Sequence, residues 1–133
     1  MTDAVFFYGT LMSTFKRPGR AMLDQQLVPA GRGRIRGALY DLGIYPAAIP
    51  AEDGRVRGEV HRMLDPAAVL RALDEIEGSS ANEPEAGLYT RAETLVTLDD
   101  GTTTDAWAYF YNAPLGRAQR IESGDYLEYL KVK

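Results

Sequence analysis

Two stretches of this chain carry residue types that could move a proton or hold a developing negative charge. The first is Leu73-Asp74-Glu75-Ile76-Glu77-Gly78, with three acids in six residues. On a helix, at about 100° per residue from Leu73, Val69 and Leu70 fall near about −40° and +60°, and Ile76 near about −60°. Glu77, at about +40°, lies inside that apolar stripe; Asp74, at about +100°, sits at its edge, and Glu75 points away. A carboxylate within an apolar stripe is costly unless it is neutralised or paired. Desolvation there raises its pKa towards the range useful for general acid–base work. The alternative is that Glu77 ends the helix and bends back into water, or pairs with an Arg.

The second stretch is Tyr8-Gly9-Thr10-Leu11, directly after the apolar run Ala4-Val5-Phe6-Phe7. A strand that stops at Gly, with a helix soon after, exposes successive backbone N–H groups that can hold a carboxylate or an oxyanion. Gly9 lets a ligand approach the main chain closely. An ordinary strand-ending turn is the competing reading.

Composition removes most other chemistry. The chain has 133 residues, 15 Lys plus Arg against 19 Asp plus Glu, one His and no Cys. Without Cys there is no thiol nucleophile, thiolate zinc site or disulfide scaffold. One His precludes a multi-histidine metal site, so no metal is expected. The net charge of −4 argues against a general phosphate-binding surface, and no nucleic-acid partner is expected. Gly31-Arg32-Gly33-Arg34-Ile35-Arg36-Gly37 has a basic look but no interleaved aromatics, and reads as a solvated loop leading into a strand. It also has the wrong spacing for a dinucleotide fingerprint. His61 reads as a surface histidine. No basic region precedes an apolar core at the N-terminus, and no apolar run approaches a membrane span; a cytoplasmic protein without membrane association is expected.

The elements that must position these residues follow from period and punctuation. Residues 4–8 read as a buried strand, 34–42 and 56–63 as two more, and 90–98 with 106–112 as a pair joined at Asp99-Asp100-Gly101. Pro18 opens a helix carrying Ala21, Met22, Leu23 and Leu27, which Pro29 stops. Asp65-Pro66 starts a second helix that runs to about Glu77, with Gly78 as its stop. Trp107, Tyr109 and Tyr111 share one face of their strand and could line a polar-tipped pocket. The loop Asn82-Glu83-Pro84-Glu85-Ala86-Gly87 could act as a lid over it. Strands outnumber helices and arrive in hairpin-like runs. The expectation is one α+β domain over residues 1–133: a small, mixed, mainly antiparallel β-barrel flanked by a few helices.

In order along the chain, Val5-Phe6-Phe7-Tyr8-Gly9-Thr10-Leu11, Gly37-Ala38-Leu39-Tyr40-Asp41-Leu42, Tyr45-Pro46-Ala47 and Val56-Arg57-Gly58-Glu59-Val60 form one set of motifs. Leu73-Asp74-Glu75-Ile76-Glu77-Gly78, Tyr89-Thr90-Arg91, Trp107-Ala108-Tyr109-Phe110-Tyr111-Asn112 and Ser123-Gly124-Asp125-Tyr126 complete it. Together they resemble the gamma-glutamylcyclotransferase-like family, which includes AIG2-like proteins and gamma-glutamylamine cyclotransferases. The resemblance implies a helix-flanked barrel and a catalytic glutamate at Glu77. It implies substrate binding by Tyr8, Gly9, Thr10 and Leu11, with Tyr89 and Tyr109 lining the pocket. It further implies a small γ-glutamyl substrate, no cofactor, and a monomer or weak homodimer. The Thr10-Leu11 form looks like the gamma-glutamylamine and AIG2-like branch, since relatives acting on γ-glutamyl amino acids often carry Ser-Asn there. The competing class is a binding module that holds a small amino-acid-like ligand in the same pocket without turnover.

Overall fold

The structure is a computed structural model that describes residues 2–9, 12, 23–43, 45–77 and 89–132; the side chains of Glu77 and Val132 lie outside that description. Five strands close a barrel in the order β1-β5-β2-β6-β7. They are β1 (Ala4–Phe7), β2 (Leu27–Arg36), β5 (Arg55–Met63), β6 (Tyr89–Leu98) and β7 (Thr103–Tyr111). All neighbours run antiparallel except β1 and β7, which close the barrel in parallel at Val5 and Trp107. A second sheet, β4-β3-β8, combines β3 (Ala38–Asp41), β4 (Pro46–Ile49) and β8 (Gln119–Arg120). Helix α1 (Pro66–Glu77) and helix α2 (Tyr126–Val132) flank the strands, so the α+β, mainly antiparallel barrel is observed as expected. No helix among the described residues is long and apolar enough to cross a membrane.

The barrel's interior is small and filled. Phe6 lies opposite Val60, Ile35 opposite Val56, and Gly33 opposite Gly58, with Val96, Ala106 and Ala108 buried on the facing strands. Glycine is required at residue 58 by a close approach. A Cβ there would stand 2.2 Å from the Phe7 carbonyl oxygen and 2.7 Å from Phe6 Cζ. The Phe6 ring takes the space that Gly58 leaves, and burying it contributes about 2 kcal/mol. These side chains give the described part of the barrel interior to packing.

Several local expectations change. The span 34–42 divides at Gly37: β2 stays in the barrel and β3 turns away into the second sheet. Residues 13–22, where the Pro18 helix was expected, lie outside the described residues, but Leu27 and Pro29 belong to β2 rather than to a helix end. Pro29 is tolerated because the register shifts between Pro29 and Gly31, a bulge that removes the need for its missing N–H; Gly31 has φ 126°. Residues 31–33, expected as a loop leading into the strand at Arg34, are likewise strand. The arginines of this strand form the outer face, and Gly33 and Ile35 the inner one. Arg57 and Asp99 pair across the outer face at 2.6 Å, which holds the Asp99 carboxyl below the usual carboxylate range. The 99–102 turn joins β6 and β7 as expected, with Gly101 at φ 90°.

His61 is the clearest correction. It is 2% exposed, not on the surface, because both faces of β5 are covered at that level. The Phe7 ring lies 5.5 Å from the imidazole, and His61 Nε2 meets Glu59 Oε1 at 3.0 Å. Alternation along a strand identifies two faces; it does not say that one of them is wet.

Gly58→Ala is expected to lower stability by about 1–3 kcal/mol through overpacking, seen as a lower urea midpoint with unchanged slope. A midpoint equal to that of the parent would show that the barrel has slack that this packing excludes.

Candidate functional site

The end of β1, the start of β4 and the wall formed by β6 and β7 meet around three tyrosine hydroxyls. Tyr8 is buried just past β1. Its hydroxyl donates to the Tyr109 carbonyl at 2.6 Å and accepts the Ala48 N–H of β4 at 3.3 Å. Tyr89, also buried, donates its hydroxyl to the Pro46 carbonyl at 3.1 Å. Gly9 lies against Pro46, where a Cβ would stand 2.9 Å from the proline Cγ. The Met12 N–H donates to the Gly9 carbonyl at 3.0 Å and closes the turn that follows β1. Tyr8 is therefore fastened to β7 and β4, and Gly9 is pressed onto β4.

An aromatic wall stands beside it. The Tyr89 ring meets Tyr111 edge-on at 5.4 Å between centroids and Tyr45 at 6.3 Å. Such a surface suits a short aliphatic chain ending in polar groups, because each ring offers an apolar face and a hydroxyl tip.

Helix α1 approaches the same wall. It begins at Asp65, whose carboxylate accepts the Ala68 N–H at 3.3 Å, with Pro66 in the first helical position. Val69, Leu70 and Leu73 are buried along one stripe. Asp74 is buried beside them at 8% exposure, and its carboxylate meets three donors. Oδ1 accepts the Tyr109 hydroxyl at 2.6 Å and Arg91 Nε at 2.9 Å; Oδ2 accepts Arg91 Nη2 at 3.2 Å. The Arg91 guanidinium also lies over the Trp107 ring, 4.8 Å from its centroid. This fork-and-stack arrangement is specific to arginine.

Of the residues singled out from sequence, Tyr8, Gly9, Tyr89 and Tyr109 converge on this one region. Tyr109 is buried and its hydroxyl is directed to Asp74. Glu77 closes α1 three residues after Asp74, and its side chain lies outside the described residues, as do Thr10, Leu11 and the 82–87 loop. Asp74 and Arg91 were not selected from sequence. The signal was present: Asp74 at the edge of an apolar stripe, and Arg91 two residues beyond Tyr89 on the same strand face. Neither becomes a pair until α1 is laid across β6. Among the described residues no group of three His, Cys, Asp or Glu side chains is placed to hold a metal.

A family model described as gamma-glutamyl cyclotransferase, AIG2-like, matches residues 5–128. The gamma-glutamylcyclotransferase family protein YtfP of Escherichia coli strain K12 is 38% identical over 90 residues, 68% of this chain and 67% of the relative. The protein of the same description from Citrobacter rodentium is 32% identical over 124 residues, covering 93% and 95% of the two chains. The solution structure of the Escherichia coli ytfP protein superposes with a TM-score of 0.65 at 32% identity, over 95% of this chain and 97% of that one. The crystal structure of YkqA from Bacillus subtilis gives a TM-score of 0.72 at 26% identity; it covers 99% of this chain, which spans 42% of the YkqA chain.

The Tyr8 hydroxyl serves two buried main-chain groups at once. Tyr8→Phe is expected to cost about 1–3 kcal/mol by leaving the Ala48 N–H and Tyr109 carbonyl without it, measured by chemical denaturation. A change of less than about 0.5 kcal/mol would show that these groups find other partners and that the turn is not fastened here.

Proposed function

The chain belongs to the gamma-glutamyl cyclotransferase, AIG2-like family, and from that membership and the site's geometry we propose that it cyclises a γ-glutamyl compound, releasing 5-oxoproline and an amine. The α-amine of the substrate attacks its own γ-carbonyl carbon. The new N–C bond closes the five-membered ring, the bond from the γ-carbon to the leaving nitrogen breaks, and the amine departs. The nucleophile belongs to the substrate, so the protein's lack of Cys is no obstacle.

The α-amine attacks in its neutral form and sheds one further proton as the amide forms. Glu77 takes that proton and returns it to the leaving nitrogen, a role worth roughly 10²–10⁴-fold. The main chain of the turn at Gly9, Thr10 and Leu11 holds the substrate carboxylate or the developing oxyanion; one such donor contributes about 3–4 kcal/mol. Tyr89, with Tyr45 and Tyr111, offers the wall against which an extended γ-glutamyl chain folds into a near-attack shape. The Thr10-Leu11 pair points to γ-glutamylamines as the class to try first.

One observation carries this reading. Through the Tyr8 hydroxyl, the Tyr109 residue and the Asp74 carboxylate, the turn after β1 and the last turn of α1 are joined by two hydrogen bonds of 2.6 Å each. These links support a reading in which the candidate main-chain donors and the helix end that bears Glu77 serve one site.

Incubation with a panel of γ-glutamylamines and γ-glutamyl amino acids should yield 5-oxoproline, and Glu77→Gln should keep the fold while lowering turnover at least about 10²-fold. Full activity in Glu77→Gln would remove Glu77 from the mechanism. Saturable binding with no product from any compound would replace the enzyme by a binding module.

A further inference from the structure

Asp74 is a buried carboxylate that the proposed reaction does not use. Its oxygens already accept three hydrogen bonds, from Tyr109 and from two nitrogens of Arg91, so it is poorly suited to receive a substrate proton. Stability alone does not call for it, since a buried ion pair is often matched or bettered by well-packed apolar side chains. Its position is more informative. Asp74 lies one helical turn before Glu77, about 60° away around α1, in the segment where a helix loses its internal carbonyl partners and frays. No basic residue occupies that last turn. Arg91 brings a cation to it from β6, where a positive charge favours the negative end of the helix dipole. The guanidinium is itself fixed, by the Trp107 face on one side and the Asp74 carboxylate on the other. Tyr109, the third member, links the same carboxylate through its own carbonyl to Tyr8 and the turn after β1.

We propose that Asp74 and Arg91 are a positioning pair for the proton-transfer acid: they pin the end of α1 to the barrel wall so that Glu77 is held at a fixed distance from the turn at Gly9. The proposal rests on the cyclotransferase reading and on Glu77 as its acid. Two strands and one helix meet at a single carboxylate. Geometry of this kind governs the chemical step more than substrate affinity, because displacement of a catalytic group by about 1 Å can cost 10²-fold in rate.

The test is steady-state formation of 5-oxoproline by the full chain and four variants: Glu77→Gln, Asp74→Asn, Arg91→Gln and Arg91→Lys. Asp74→Asn and Arg91→Gln should each lower kcat by about 10- to 100-fold while KM stays within about threefold, the signature of an interaction that matters in the transition state. Arg91→Lys, which keeps the charge and loses the fork, should fall between the parent and Arg91→Gln. The double variant Asp74→Asn/Arg91→Gln should be no slower than the worse single one, because the two residues act as a unit. A folded Asp74→Asn with kcat within about twofold of the parent overturns the positioning role, as does a loss confined to KM. Should Asp74→Asn fail to fold, the Arg91 variants decide the matter, and equal kcat in both and in the parent overturns it. These results are separable from failure of the underlying reading, which would appear as no 5-oxoproline from the parent or as full activity in Glu77→Gln.

Discussion

A carboxylate buried against a barrel wall is unfavourable unless donors surround it, and the Asp74 carboxylate is where this chain satisfies that condition. Tyr109 and Arg91 reach it from adjacent strands, and Arg91 is held in turn by Trp107. The residues that satisfy Asp74 also fix how α1 lies on the sheet. Because Tyr109 also accepts the Tyr8 hydroxyl, the placement of the turn after β1 depends on the same group. Helix, wall and turn are three parts of one hydrogen-bonded arrangement.

The described interior of the barrel is given to packing. Phe6, Ala106 and Ala108 are buried, and the opposed glycines at residues 33 and 58 leave no space for a Cβ. The candidate site residues gather instead where β1 ends, where β4 of the second sheet abuts it, and at the tyrosines of β6 and β7. Pro46 contributes twice there, with its ring against Gly9 and its carbonyl accepting the Tyr89 hydroxyl.

Much of this was legible in the amino-acid order, and the exceptions have physical causes. The Asp65-Pro66 start of α1, the strands 56–63 and 90–98 and the Asp99-Asp100-Gly101 turn follow from local signals that burial does not override. The convergence of Tyr8, Gly9, Tyr89 and Tyr109 was legible only through the order of motifs, since no local rule brings residue 8 to residue 109. Pro29 was misread as a helix stop because a bulge, invisible in local pattern, lets a proline stand in a strand. His61 was misread because alternation marks faces and not what covers them. Asp74 was set aside at a stripe's edge, and its value depends on an arginine 17 positions away. Burial of polar groups is decided by partners, and partners are tertiary facts.

A chain with no Cys and a single, buried His looks poorly equipped for nucleophilic chemistry. A reaction in which the substrate supplies the nucleophile needs only an acid–base carboxylate, a few main-chain donors and a surface on which an extended chain can fold. That is the account's central claim, and isotope tracing tests it directly. A γ-glutamylamine turned over in H₂¹⁸O should give 5-oxoproline without ¹⁸O, together with one equivalent of free amine, because the substrate's own nitrogen displaces the amine. Glutamate carrying ¹⁸O in its γ-carboxylate would mean that water, and not the α-amine, is the nucleophile, and would contradict the account.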